Sequence, residues 1–269
     1  MKVCIIGLGG LGGALVGGIL AANDEAKSAD GSGAVELVAC GRRSASLDAF
    51  RGRCHVETDA AVAVVGADVV CLAVKPKGTV ELLEHIAPHL GDGALVVSCA
   101  AGVTMAALSA GAPHVVIARA MPNIGAQRRA STTAVFLGSR ADVVRDRARL
   151  HTVFGAVGDV VDIADEGQLH AVTAIAASGP AFVLLMIEAM VDAGVEHGLS
   201  RADALACARG ALVAATSRLD GRQEPGAVRA HVTSPGGTTA AGLAVLEREA
   251  CRGAVAGAVA AAVAKSKAM

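Results

Sequence analysis

Tyrosine and tryptophan are missing from this chain, and phenylalanine occurs only four times. The missing tyrosine excludes any dehydrogenase that uses a Tyr-Lys pair as its proton donor. Paired cysteines are missing too: Cys4, Cys40, Cys54, Cys71, Cys99, Cys207 and Cys251 fall singly, with no C-x-x-C. That spacing reads as reduced thiols in a cytoplasmic compartment rather than a disulfide framework. No Cys/His group has zinc spacing; His85 and His89 stand four apart, but Pro88 lies between them, so no metal is expected. The net charge of −1 gives no overall attraction to nucleic acid or an acidic membrane, and neither is expected as a partner. The Ala-rich stretch from Ala250 is too short to span a bilayer and Arg252 interrupts it.

What is present is 269 residues, 53% of them apolar and rich in Ala and Val. That length allows one large domain or two ordinary ones. Short apolar runs at Val3–Ile6, Val35–Cys40, Asp68–Val74, Leu95–Cys99, Val115–Ala118, Thr133–Leu137 and Val160–Ile163 read as strands. Helical patterns lie between several of them, at Gly10–Ala22, Gly78–Leu90 and Ala141–Val153. Strands alternating with helices predict an α/β, Rossmann-type doubly wound parallel sheet, buried on both faces. From about Asp165 the strand-like runs stop. Helical patterns follow at Gln168–Ala177, Ala181–His197, Arg201–Leu219, Thr239–Ala250 and Cys251–Lys265. The expected domains are therefore 1–164, binding a dinucleotide, and an all-α domain over 165–269. The helical part is too short and Ala-rich to bury its apolar faces alone, which predicts a homodimer or higher homo-oligomer.

The first strand runs into Gly7-Leu8-Gly9-Gly10-Leu11-Gly12 and then a helix. A lone G-x-G-x-x-G says little, but here it follows a buried strand and opens a helix, the context the motif needs. Gly7 suits the tight turn, Gly9 the approach of a pyrophosphate, and Gly12 the packing of helix on strand. Ile6, Gly7, Leu8, Gly9, Gly10, Leu11 and Gly12 are thus expected around a dinucleotide, a ligand-free glycine turn being the alternative. The same glycines explain why this apolar opening is not read as a signal peptide. The second strand ends in Cys40-Gly41-Arg42-Arg43-Ser44, where an NAD site would place an acid. Arg42, Arg43 and Ser44 suit the 2′-phosphate of NADPH, with NADH bound more weakly; two solvated arginines are the plainer alternative.

Carbonyl reduction usually needs a strong acid such as Lys or His beside the oxygen. Between Asp165 and Leu219 there is no lysine at all. That favours a substrate that arrives protonated, and a cyclic imine fits.

The stretches IIGLGGLGGAL, ADVVCLAVKP (Ala67–Pro76), VVSCAAGVT (Val96–Thr104), RAMPN (Arg119–Asn123), AVTAIAASGPAF (Ala171–Phe182), IEAMVDAGV (Ile187–Val195) and VTSPGGTTAAGLAVLE (Val232–Glu247) carry a resemblance. Along almost its whole length the chain resembles pyrroline-5-carboxylate reductase. The resemblance implies NADPH-dependent reduction of 1-pyrroline-5-carboxylate to L-proline, the last step of proline biosynthesis, by a Rossmann domain and a helical dimerisation domain. It places Ala73, Val74, Lys75 and Pro76, and Cys99, Ala100 and Ala101, along the dinucleotide. It sets Met121, Pro122 and Asn123 near the nicotinamide, with Met121 on the substrate side.

For the substrate carboxylate, backbone N–H groups of Gly236, Gly237 and Thr238 before a helix, with the Ser234 hydroxyl, offer donors without a fixed cation. Family analogy gives Thr239 the ring nitrogen and the one catalytic role; as a weak acid, threonine orients more than it protonates. Ser178, before Gly179-Pro180, either faces the substrate or marks a kink. Glu166 reads as a first-turn acid favourable to a helix dipole, with a ring-nitrogen contact as the alternative. The chain departs from the family pattern at Ile124-Gly125-Ala126-Gln127-Arg128-Arg129 after the MPN, at His170, Phe182 and Ala230, and at Ala60. Two alternatives therefore stand beside the proline-forming reductase: an NADPH-dependent reductase of another cyclic imine carboxylate such as piperideine carboxylate, and a catalytically silent NADPH-binding regulator.

Overall fold

The apolar runs become eight strands of one sheet: β1 (Lys2–Ile6), β2 (Glu36–Cys40), β3 (His55–Glu57), β4 (Val69–Leu72), β5 (Leu95–Ser98), β6 (Val116–Met121), β7 (Ser131–Leu137) and β8 (Gly158–Asp162). They lie in the order β3-β2-β1-β4-β5-β6-β7-β8. The structure is a computed structural model describing residues 1–29, 35–219, 221 and 223–269. Helices α1 (Gly10–Ala29), α2 (Ser44–Leu47), α3 (Ala60–Ala63), α4 (Thr79–Ile86), α5 (Met105–Gly111) and α6 (Val143–Gly155) connect the strands. Alternating residues of β1 separate two cores. Val3 and Ile5 face Leu15, Ile19 and Phe154, whereas Cys4 and Ile6 face Leu83, Ile86 and Leu108. Both faces are covered, so the strands are continuous apolar runs rather than alternating ones.

The sheet is not wholly parallel. β6 pairs antiparallel with β7, and β8 then runs parallel to β7. Only residues 122–130 join β6 to β7, shorter than the dozen or so that a parallel crossover requires, so the chain reverses through a tight turn over Ile124–Arg128. Strand β6 also runs three residues beyond its expected end at Ala118, and α1 seven beyond Ala22. The edge strand β3 and helix α5 were not legible as periodic runs. β3 has one apolar residue in three. Helix α5 is short, and it is capped by Thr104, whose hydroxyl accepts the Ala107 N–H.

Met1–Ala177 and Val263–Met269 form one compact unit, and Ser178–Ala262 a second. In the first unit, α7 (Gln168–Val172) leads into a π-type turn over Thr173–Ala177. The Thr173 hydroxyl donates to the Leu169 carbonyl there, the kind of local insertion that widens a helix. The second unit holds α8 (Gly179–Glu196), α9 (Arg201–Thr216), α10 (Pro225–His231), α11 (Thr238–Arg248) and most of α12 (Cys251–Lys267). α8 packs on α9 through Ile187, Val191, Ala204 and Ala208. Gly194 permits this closeness, because a Cβ there would stand 3.0 Å from that of Ala204. Little else in this unit is buried: Leu185 is 67% exposed, Val213 60% and Met190 51%.

One charged network anchors α6 beneath the sheet. Asp146 is fully buried; its carboxylate accepts hydrogen bonds from Arg145, Arg149 and the Asp142 N–H. Arg149 also donates to the Gly93 carbonyl and to Asp68, which accepts the Lys2 N–H. Burial opposes ionisation of Asp146, yet the Arg145 hydrogen bond, the Asp142 N–H and Arg149 hold its carboxyl below the usual carboxylate range. Asp146→Ala leaves the Asp142 N–H unpaired and takes from Arg149 one of its two carboxylate partners, Asp68 remaining. With Arg145 partly in solvent, the expected loss is about 2 kcal/mol of unfolding free energy, measured by urea denaturation with an unchanged m-value; a loss within error of zero would contradict it.

Candidate active site

The C-terminal ends of β1, β2, β4, β5 and β6 lie side by side, and the loops leaving them gather most of the expected dinucleotide residues. In open α/β sheets ligands bind at this edge, where the strand order reverses; here β1, between β2 and β4, is that point. Backbone hydrogen bonds fix the loops: Gly7 N–H to Cys40 carbonyl at 2.9 Å, Ala73 N–H to Ile6 carbonyl at 2.8 Å, and Cys99 N–H to Leu72 carbonyl at 3.1 Å. Gly7 has φ +99°, and a Cβ there would stand 2.7 Å from the Ala73 carbonyl oxygen. A Cβ on Gly12 would overlap the Gly7 carbonyl, whereas above Gly9 the space is open to 4 Å. Gly13 makes the first intrahelical bond, to the Gly9 carbonyl, so the N–H groups of Gly10, Leu11 and Gly12 face out from the N-terminus of α1. An open floor at Gly9, walled by two glycines that admit no side chain, fits a dinucleotide pyrophosphate.

At the end of β2, Gly41 lets the strand approach Leu8, whose Cδ1 would stand 3.3 Å from a Cβ. Arg42, Arg43 and Ser44 follow, all exposed. Among the described residues neither arginine has an ion-pair partner. Arg51 adds a third guanidinium at this corner, 3.4 Å from the Ser44 hydroxyl and paired with Asp48. Nothing in the local sequence marked Arg51. Lys75 and Pro76 are exposed after β4, while Cys99 and Ala100 are buried after β5. Burial pushes the Cys99 thiol up to about 12 and the Cys40 thiol up to about 11. Both stay protonated at neutral pH and offer no thiolate nucleophile.

Strand β6 divides two cavities. Pro122 and Asn123 line one of about 290 Å³, together with Gly10, Leu11 and Gln127. Met121 lines another, of about 150 Å³, with Arg119, Glu166 and His170. Arg119, within RAMPN, carries no role in the sequence reading; a charged residue amid an apolar strand is the signal that marks it. Its side chain is 7% exposed and pairs with Glu166 at 2.7 Å, and it also donates to the Ala100 carbonyl at 3.5 Å. Glu166 accepts the Met105 N–H as well. It lies two residues before α7 rather than in its first turn, so the ion pair with Arg119 replaces the dipole reading. Arg119 thereby ties the loop after β5, the end of β6 and the approach to α7 together. His170 Nδ1 lies 2.9 Å from the Ser266 hydroxyl.

The expected substrate residues other than Met121 belong to the second unit. Ser178 precedes α8 and its hydroxyl makes no capping bond. Ser234-Pro235-Gly236-Gly237 forms a turn closed by Gly237 N–H to Ser234 carbonyl at 3.1 Å, with Gly236 at φ +67°. Proline second and a left-handed glycine third is the type II arrangement. The cap of α11 is Gly237, so the helix begins at Thr238, one residue before its expected start at Thr239. Of the expected donors, the Gly237 N–H is occupied by the turn; the first intrahelical bond is Ala241 N–H to the Gly237 carbonyl, so the amides of Thr238, Thr239 and Ala240 face out at the helix start, after that of Gly236.

A glycine-walled crossover at the centre of a largely parallel sheet, followed by a helical unit with exposed apolar faces, defines a Rossmann-type oxidoreductase of two parts. Residues 2–102 match the family model described as NADP oxidoreductase coenzyme F420-dependent, and residues 166–269 match that of pyrroline-5-carboxylate reductase dimerisation. The pyrroline-5-carboxylate reductase of Corynebacterium melassecola is 36% identical over 260 residues, covering 94% of this chain and 92% of that protein. The solved structure of the pyrroline-5-carboxylate reductase of Coxiella burnetii superposes with a TM-score of 0.90 at 30% identity, covering 98% of this chain and 97% of that one. That of Plasmodium falciparum, solved with NADP bound, gives 0.82 at 27% identity over 100% of this chain and 97% of that one. The chain belongs to the pyrroline-5-carboxylate reductase family.

Proposed function

We propose that this chain reduces 1-pyrroline-5-carboxylate to L-proline, with NADPH as the hydride donor, completing proline biosynthesis. The observation that carries the reading is the pairing of the glycine-walled crossover with an intact SPGGTT turn at the head of α11. NADPH, when bound, supplies the hydride that saturates the C=N bond.

The chain's own residues hold and orient. The outward N–H groups of Gly10, Leu11 and Gly12 receive the pyrophosphate over the open Gly9. Arg42 and Arg43, with Ser44, receive the 2′-phosphate, which NADH lacks. Ala73–Pro76 and Cys99–Ala101 line the dinucleotide, and Pro122 and Asn123 border its nicotinamide end, with Met121 on the substrate side. At α11 the amides of Thr238 and Thr239 and the Ser234 hydroxyl take the substrate carboxylate without a fixed cation. The Ser178 hydroxyl, free of any capping bond, faces the same substrate. The Thr239 hydroxyl addresses the ring nitrogen. A cyclic imine is basic enough to arrive protonated, so orientation into near-attack geometry replaces strong acid catalysis. The absence of lysine from Asp165 to Leu219 accords with that chemistry.

Residues 1–164 serve as the dinucleotide domain and 165–269 as the dimerisation and substrate domain. The helical stretch Gln168–Glu196 is long and apolar enough to cross a membrane, but it lies within the match to a dimerisation model. Its exposed Leu184, Leu185 and Met190 are read as facing a second copy in the cytoplasm rather than lipid.

A reductase of a larger ring is the second reading, favoured by the departures at Ile124–Arg129 and Phe182. NADPH oxidation with pyrroline-5-carboxylate and with piperideine-6-carboxylate separates the two: the five-membered ring is expected to turn over faster, and equal or greater turnover of the six-membered ring would overturn the assignment. No turnover of either would favour a silent NADPH-binding regulator. Thr239→Val is expected to lower kcat by about tenfold or more while NADPH affinity, measured by fluorescence titration, stays within about twofold; an unchanged rate removes Thr239 from the mechanism. Arg43→Glu is expected to weaken NADPH binding by about tenfold and NADH far less, and equal weakening of both would refute the role given to that strand end.

A further inference from the structure

The turn between β6 and β7 is fixed at both ends by side-chain hydrogen bonds, one of them to α1. The Asn123 side chain accepts the Gly125 N–H at 2.9 Å, and the Ser131 hydroxyl accepts the Asn123 N–H at 3.2 Å. Ala126 is buried to 2% exposure and fixes the middle of the turn in the core. At its far end Arg129 adopts the left-handed region, φ 57°. Its guanidinium donates to the Ala156 carbonyl at 3.1 Å and takes both carboxylate oxygens of Glu25 on α1. Side-chain bonds at both ends and a buried centre leave Gln127 little freedom of placement.

That placement is specific. Gln127 is exposed and lines the cavity of about 290 Å³ with Gly10, Leu11, Pro122 and Asn123. Its Nε2 lies 3.7 Å from where a Cβ on Gly10 would stand. It is therefore an amide donor set beside the first turn of α1, whose own N–H groups of Gly10, Leu11 and Gly12 face outward. The side-chain amide and the outward N–H groups of Gly10 and Leu11 thus border one cavity, and donors of both kinds favour an anionic acceptor there.

We infer that Gln127 is a cofactor-binding residue of this chain, donating from its side-chain amide to the pyrophosphate of NADPH across the start of α1. The inference rests on the dinucleotide reading given above and adds a contact outside the glycine motif. On this reading the turn over Ile124–Arg128 carries a phosphate donor on an arm held at both ends.

Isothermal titration of wild type, Gln127→Leu and Gln127→Glu tests it with three ligands. NADPH and 2′-phospho-ADP-ribose both keep the pyrophosphate, and the latter lacks the nicotinamide; 2′,5′-ADP lacks the pyrophosphate. Gln127→Leu is expected to weaken the first two by about tenfold, the size of one hydrogen bond to a charged group, and 2′,5′-ADP by less than about twofold. Gln127→Glu, nearly identical in shape, is expected to weaken them further by setting a carboxylate against the phosphates. Because the side chain is exposed, neither substitution disturbs packing, and circular dichroism is expected to be unchanged. Unaltered binding of the first two ligands, equal loss for all three, or loss confined to NADPH would each overturn the inference. A wild-type chain that binds neither NADPH nor 2′,5′-ADP would instead remove the dinucleotide reading itself.

Discussion

The contact between α1 and the end of β1 sets the rest of the molecule. A side chain at Gly12 would overlap the Gly7 carbonyl, and one at Gly7 would press on the Ala73 carbonyl and Val74. With hydrogen atoms alone at both positions, the helix closes on the strand and its N-terminal amides stand over the sheet's edge. The loop after β4 comes into register beside it through the bond from Ala73 N–H to the Ile6 carbonyl. The loop after β5 follows one strand further on, fastened by Arg119 at Ala100. Each loop at this edge is thus located by reference to one crossing that tolerates no methyl group.

The two compact units face different constraints. The first buries apolar surface on both sides of a sheet and can be stable by its own packing, each fully buried Leu or Ile contributing about 2 kcal/mol. The second buries one small cluster, Val191, Ala204 and Ala208 with Ile187, and leaves large apolar side chains on α8 and α9 in solvent. Surface of that kind on a folded chain marks an association face. The turn Ser234–Gly237 sits in this second unit, at the head of α11, so the unit with the exposed apolar faces is also the one that carries the loop Ser234–Thr239.

Much of this was readable from residues. β1, β4 and β5 announced themselves because strands buried on both faces must be uninterrupted Val, Ile, Leu and Cys. The glycine loop was readable because its spacing encodes steric limits rather than chemistry. What escaped were features set by distant partners. The reversal at β7 depends on a count of connecting residues, and β3 depends on a neighbour rather than on its own three residues. Glu166 resembled a helix-dipole acid because Arg119, 47 residues away, is invisible as its partner in sequence. The start of α11 was misplaced by one residue because Gly237 caps it without a side-chain oxygen to mark the position. Gln127 stood out only as one of the residues after the MPN, since its neighbour Gly10 lies far away along the chain.

The central claim is that this chain transfers hydride directly from NADPH to the carbon of a cyclic imine. Incubation with 1-pyrroline-5-carboxylate and NADPH deuterated at both C4 positions of the nicotinamide tests it most directly, with the product read by mass spectrometry and NMR. The expected product is L-proline carrying one deuterium, at C5. Proline without deuterium, or no proline above a protein-free control, would contradict it.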